Sequence, residues 1–320
     1  MPDINALRLE AKRVLREGIV DVVVGFKPGD SPLHPQPAFF RNEDEVEELI
    51  HNGLCKNNLA NYLTRLPKQE KVGMLVRGCE NRSVNSLIVE SQKERDDLYL
   101  IGVPCEGIID WRQIVEQAGE HISLVEESET LVTVHTPAGV NSFNRFELLH
   151  ESCQRCLYRN PISADIVIGD PVANGSLDPV AQKVKDFENQ DIEARYAFFQ
   201  KEAERCIRCF ACREACPSCY CAECFVDHNA PRWTESGATP AGMQGWHIVR
   251  AFHQSGRCTS CGACERACPM DIKMTYLTEK LNHDMREKYN FECGMDAETK
   301  PPFQTVTLDD KNRFFLGGGN

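Results

Sequence analysis

The sequence predicts two parts of different class: an N-terminal α/β domain with a mixed sheet and crossover helices, then a mainly helical, loop-rich domain dense in cysteine. Three observations point there. Short runs rich in Val and Ile alternate with helix-like segments over about the first 170 residues. Apolar residues recur three and four apart in the segments between those runs, as on a helix face. Twelve of the seventeen cysteines fall after residue 200.

In chain order, "MPDINALRLEAKRVLREG" reads as an amphipathic helix. It lacks the apolar core and small-residue cleavage site of a secretory signal. "VDVVVGF" (Val20 to Phe26), "KVGMLV" (Lys71 to Val76), "LYLIGV" (Leu98 to Val103) and "ADIVIGD" (Ala164 to Asp170) read as buried strands. "EDEVEELIHNG", "NNLANYLTRL" and "WRQIVEQAG" read as helices between them, which together give the α/β class. "NGSLDPVAQKVKDF" marks a boundary, with Asp178 as N-cap and Pro179 at the first helical position of a charged linker helix running to about Glu204. Two further helices are expected at "AGMQGWHIVRAFHQSG" and "IKMTYLTEKLNHDMREKY". The tail "FFLGGGN" reads as flexible and lacks the strand-to-helix context of a phosphate loop. The predicted division is 1–177, linker 178–204, and 205–320.

A net charge of −12 argues against a nucleic-acid partner, which rewards a basic stripe that neutralises phosphates. No run approaches the roughly 20 apolar residues of a membrane span, so no membrane insertion and a cytoplasmic location are expected. Seventeen cysteines are an odd number, and a reducing cytoplasm keeps thiols free, so metal is a better reading than disulfides.

Cys206, Cys209, Cys212 and Cys216 lie in "CIRCFACREACP", and Cys258, Cys261, Cys264 and Cys268 in "CTSCGACERACP". Both fit C-x2-C-x2-C-x3-C-P, the spacing of two-cluster bacterial ferredoxins, so the C-terminal domain is predicted to be a dicluster ferredoxin-like iron-sulfur domain. Three cysteines on a tight loop wrap one 4Fe-4S cube while the fourth reaches the other. Cys206, Cys209, Cys212 and Cys268 are therefore expected to hold one cube, and Cys258, Cys261, Cys264 and Cys216 the second. Zinc also uses C-x2-C pairs, but it needs two such pairs per site and no third close cysteine followed by Cys-Pro.

Cys79 and Cys105 each follow a strand, and parallel strands would bring both to the carboxyl edge of the sheet, where α/β proteins place ligands. Cys153 and Cys156 form a C-x2-C pair before the last strand and would enter from that edge if this strand ran antiparallel. These four make a candidate third cluster, with Cys55 able to replace one of them. The alternative has Cys79 and Cys105 as buried small hydrophobes and the pair as a zinc or redox site. Cys219, Cys221 and Cys224, completed by Cys293, are candidates for a fourth cluster or a zinc site.

"LREGIVDVVVGF", "KVGMLVRGC", "LYLIGVPCEGIID", "CQRCLYRNPISADIVIGD", "CIRCFACREACPSCYCAECF" and "FHQSGRCTSCGACERACPMDI" together resemble the beta subunits of deazaflavin-dependent hydrogenases and formate dehydrogenases, especially the latter. Relative to that pattern the chain opens directly at the helix before the first strand and runs from "ADIVIGDPVANGS" straight into the linker. The resemblance implies an electron-transfer iron-sulfur subunit of a multi-subunit oxidoreductase. Its partners would be a catalytic dehydrogenase or hydrogenase subunit and a heterodisulfide reductase-like subunit. It also raises an alternative, a catalytic subunit with bound FAD that exchanges hydride with a deazaflavin or nicotinamide cofactor. A flavin would split a hydride into single electrons, although no G-x-G-x-x-G motif is present.

Overall fold

In the computed structural model residues 2–235 and 237–305 are described, apart from the side chain of Asp178. Asp3 caps helix α1 (Ile4–Arg16) by accepting the Asn5 N–H at 2.9 Å, which satisfies a donor that a helix start leaves free. Leu7, Ala11 and Val14 share one face of α1 and are fully buried in the main core. The chain continues through β1 (Val22–Lys27), β2 (Gln36–Phe40), β3 (Val72–Val76), α2 (Gly78–Val89) and β4 (Leu98–Gly102). It then forms α3 (Trp111–Ala118), β5 (Leu124–Glu127), β6 (Leu131–Thr136), β7 (Gly139–Asn144), α4 (Glu151–Gln154) and β8 (Ile166–Val167).

The main sheet is mixed, with order β2-β1-β3-β4-β8. β1, β3, β4 and β8 run parallel, and β2 lies antiparallel on the outer edge of β1. Each Val- and Ile-rich run therefore contributes a strand, with β8 cut to two residues. β8 is parallel to β4, against the antiparallel entry considered for it. Asp165 fixes its start, donating its N–H to Leu100 O at 2.9 Å and accepting the Leu100 N–H at 2.7 Å. Parallel pairing demands a long crossover, and residues 103–165 supply it.

Two of the expected helices are shorter and tighter. Glu45–Glu48 and Leu59–Arg65 are 3₁₀ turns; the first crowds Glu45, Glu47 and Glu48 into one turn, where like charges oppose a longer helix. α2 and the antiparallel sheet β5-β6-β7 were not anticipated. In that sheet Val132 and Val134 alternate inward onto Ile108, Ile109, Ile114 and Leu149, forming a second core.

The linker is two helices, α5 (Leu177–Glu188) and α6 (Ile192–Glu204), broken where Asp191 caps α6 by accepting the Ala194 N–H at 2.6 Å. Ser176 occupies the N-cap position of α5, so Pro179 is its third residue. The Asp178 side chain, proposed as that cap, lies outside the described residues, as does the "FFLGGGN" tail. α7 (Ala211–Glu214), α8 (Pro240–His253), α9 (Ala263–Arg266) and α10 (Thr275–Tyr289) complete the helical, loop-rich part.

Burial holds three imidazoles neutral: His51 and His247 are pushed down to about 4, and His150 to about 2. Their values fall below the usual 6.5, so the unfolded chain takes up protons first as pH falls. Their contribution to stability is full above 6.5 and is lost progressively below it. The apparent melting temperature of the anaerobic protein is thus expected to drop between about pH 7 and about pH 5. A flat profile across that window would contradict this.

Candidate metal centre

The two cysteine runs fold alike. In each, the residue two places after the first cysteine is left-handed, Arg208 at φ 56° and Ser260 at φ 55°. So is the residue four places after it, Phe210 at φ 59° and Gly262 at φ 70°. These turns aim the Arg208 and Ser260 N–H groups at the Sγ atoms of Cys206 and Cys258, both at 3.4 Å. Hydrogen bonds of this kind tune an iron-sulfur ligand set. α7 and α9 follow the loops, carry Cys212 and Cys264, and pack on each other. A Cβ at Gly262 would lie 2.2 Å from Ser152 Oγ on α4. Phe210, at the matching position of the first run, instead sets its ring 5.0 Å from Trp246.

The electrostatic neighbours of the thiols divide across the runs. Burial pushes the Cys206 and Cys212 thiols up, and both feel Cys268. Burial likewise pushes Cys258 up to about 11, with Cys261 and Cys216 adding to it, and Cys264 feels Cys216 and Cys261. Cys268 is thus within electrostatic reach of the first loop and Cys216 of the second. Cys212 and Cys268 also share an apolar cluster with Trp246, Ile272 and Met274, which excludes water.

Sequence reasoning missed Arg250. It is 4% exposed, donates to Cys212 O at 3.2 Å, and stays charged against the cost of burial because Cys264, Cys216, Cys212 and Cys219 surround it. Its signal was a lone arginine on the apolar face of "GWHIVRAF".

A third set gathers at the carboxyl edge of the sheet. Cys79, Cys105, Cys153 and Cys156 line one cavity, and Cys261 of the second run lines it too. Gly107 donates its N–H to Cys105 Sγ at 3.4 Å, repeating the device of the two loops. Burial pushes Cys156 up to about 11, and Cys153 and Cys105 push the same way. The Cys153 pair reaches this edge by the bridge Ile109↔Leu149 and by Cys105 donating its N–H to Arg159 O at 2.9 Å, with no antiparallel strand needed.

Gly78 is what lets the second half of that pair approach α2. A Cβ there would lie 2.2 Å from Tyr158 O and 2.9 Å from Asn160 O. Gly78→Ala is expected to displace Cys156 and lower the iron content by about four per chain, leaving the two-cluster module spectrum unchanged. Unchanged iron would contradict this.

Cys55 does not join the set. It is fully buried behind Arg77, which takes its carbonyl at 2.6 Å, and burial pushes its thiol up to about 12. Cys219, Cys221 and Cys224 line a separate cavity with His253. Gln254 donates to Cys219 Sγ at 3.3 Å and accepts from Cys216 Sγ at 3.4 Å. Cys293 is not with them: it is buried beside Arg82 and Ser86, and the thiol it feels is Cys258. The chain from α10 returns over α2, because Arg82 holds Cys293 O at 2.7 Å. Among the described residues no group of three or more His, Cys, Asp or Glu side chains is gathered as a single metal ion requires. The three expected ligand sets are all thiol, the donor chemistry of cubanes.

Residues 202–272 match the 4Fe-4S dicluster domain family. The chain is 24% identical to an F420-dependent formate dehydrogenase subunit beta of Methanocaldococcus jannaschii, over 91% of this chain and 92% of that one. A Methanococcus maripaludis F420-dependent formate dehydrogenase 1 subunit beta is 23% identical over 91% of this chain and 90% of the relative. The chain is similar to formate dehydrogenase beta subunits along nearly its whole length. Its C-terminal part contains a 4Fe-4S dicluster domain. A chain of the F420-reducing [NiFe] hydrogenase complex from Methanosarcina barkeri aligns over 48% of this chain and 58% of its own length, with TM-score 0.39 and 19% identity. Among the described residues no helix is long and apolar enough to cross a membrane.

Proposed function

We propose that this chain is the iron-sulfur electron-transfer subunit of a cytoplasmic multi-subunit oxidoreductase of the formate dehydrogenase, hydrogenase or heterodisulfide reductase-like kind. The observation that carries it is the cavity shared by Cys79, Cys105, Cys153, Cys156 and Cys261. It supports a third thiol quartet beside the second ferredoxin-type loop, which would set three cluster sites in sequence from the 205–320 part to the 1–177 part. Clusters held there would pass single electrons along that line. The chain's own work is positioning. Left-handed loop residues aim N–H groups at sulfur, Trp246, Ile272 and Met274 keep water out, and Arg250 offsets thiolate charge between two of the sites.

The ligands are assigned as Cys206, Cys209, Cys212 and Cys268; Cys258, Cys261, Cys264 and Cys216; and Cys79, Cys105, Cys153 and Cys156. Cys219, Cys221 and Cys224 remain candidates for a fourth cluster or zinc, without Cys293. The similarity to subunits of formate dehydrogenases supports partners of the same kind, a catalytic subunit at one end of the relay and an acceptor subunit at the other.

Anaerobic quantification of iron, sulfide, zinc and flavin on the purified protein tests this. About twelve irons and no flavin are expected. About eight irons would remove the third site, and one flavin per chain would move a hydride-to-electron step into this subunit and make it catalytic.

A further inference from the structure

The junction between the two parts holds a cluster of cations beside the second ferredoxin-type run. Lys56 Nζ and Arg112 Cζ lie 5.2 and 5.3 Å from the ring centroid of Trp111. Arg112 donates to the carbonyls of Arg266 at 3.2 Å and Cys268 at 2.7 Å, while Arg266 Nε donates to Lys56 O at 2.8 Å. These bonds tie three cationic side chains into one knot. His34 joins it, with Nδ1 3.3 Å from Lys56 Nζ.

Four buried nitrogens of this knot make no hydrogen bond among the described residues: Trp111 Nε1, Arg112 Nη1, His150 Nε2 and Arg266 Nη2. Arg266 is 4% exposed and His150 9%. Neither Lys56 nor Arg266 has a carboxylate within 4 Å among the described residues. Asp110 stands 3.9 Å from Arg112 Nη1 and 3.6 Å from His150 Nδ1. Lys56 and Arg266 also line a groove of about 280 Å³ with Arg65, Glu214, Ala211 and Ala263, where Glu214 is paired with Arg65 at 3.3 Å.

Burying several like charges with unused donors is costly unless an anion completes them, and in a chain of net charge −12 so strong a local excess of cations is out of keeping with the rest. Guanidinium and ammonium groups beside an indole N–H suit a compact oxyanion with several acceptor oxygens. We propose that this junction binds a phosphate-class oxyanion, free or carried on a phosphorylated small molecule. The site is independent of how many clusters the chain holds.

Calorimetric titration of the full-length, cluster-loaded protein with inorganic phosphate, and separately with adenosine monophosphate, tests it in a zwitterionic buffer at low ionic strength. Saturable phosphate binding is expected, weakened about tenfold by Lys56→Gln and about threefold by Trp111→Phe, which removes the indole N–H. Arg16→Gln, in an exposed pair with Glu43 on α1, is expected to leave affinity unchanged. Tighter binding of the nucleotide would identify a phosphorylated carrier, and equal binding a free oxyanion. Absence of saturable heat, or a Lys56→Gln protein of unchanged iron content that binds phosphate as tightly as the parent, would overturn the proposal.

Discussion

Cys216→Ala is expected to abolish the cluster of Cys258, Cys261 and Cys264 while sparing the one formed by its own run. Cys216 leaves α7 directed at the second loop, where Cys258 and Cys264 both feel its charge. A cube with three thiolates loses a corner ligand outright. The reduced-state electron paramagnetic resonance spectrum of the variant should therefore match that of Cys258→Ala and differ from that of Cys206→Ala. Its iron content should fall by about four per chain. Cys219 is the one local rescue to watch, since Gln254 bridges it to Cys216, and a double replacement of both cysteines removes that route. If the Cys216→Ala spectrum instead matched Cys206→Ala, each run would serve its own cube and the relay order argued above would be wrong.

Glu80→Ala should be the most damaging single change in the α/β part, costing about 3–5 kcal/mol. The side chains of Arg77 and Glu80 are 2% and 1% exposed. Arg77 donates to both Glu80 oxygens, at 2.9 and 2.7 Å, and the Leu59 N–H adds a bond at 2.9 Å. Removing the carboxylate leaves a guanidinium buried beside Cys79 and Cys105 with its charge uncompensated. Burial works against the Glu80 charge, yet Arg77 and the backbone donors hold its carboxyl below the usual range. The folded value is depressed, so this contribution is full above the ordinary value of 4.5 and is lost as pH falls through the folded one. Urea unfolding at neutral pH measures the loss, and a cost under about 1 kcal/mol would show that the pair is not what holds this edge together.

The sheet strands and both ferredoxin-type runs were legible because burial on both faces and cube geometry each impose a local pattern on the sequence. α2 was not, for a physical reason. Its sequence "GCENRSVNSLIV" looks like an exposed loop, yet Glu80, Asn81, Arg82, Ser83, Asn85 and Ser86 are all buried. Their partners come from distant segments: Asn81 accepts the N–H groups of Ile162 and Ser163, Asn85 donates to Gly294 O, and Ser83 meets Thr259. Polarity that is satisfied across 81 to 209 residues of chain leaves no periodic trace. The placement of Cys293 failed likewise, because proximity in sequence to α10 said nothing of its return over α2. The cationic knot at Lys56, Arg112 and Arg266 draws each member from a different element and could be seen only once the chain was folded.

The same helix decides how far the two parts are separable. Arg82 holds the carbonyls of Cys293 and Thr259 and stacks 4.2 Å over Tyr158, while Asn85 and Ser83 reach the same C-terminal stretch. A polypeptide cut at the linker would leave several buried polar groups without partners, each costing about 1–3 kcal/mol. The C-terminal part is thus no cassette to be lifted out or exchanged for another electron carrier. Any graft that keeps it functional has to bring the polar face of α2 along with it.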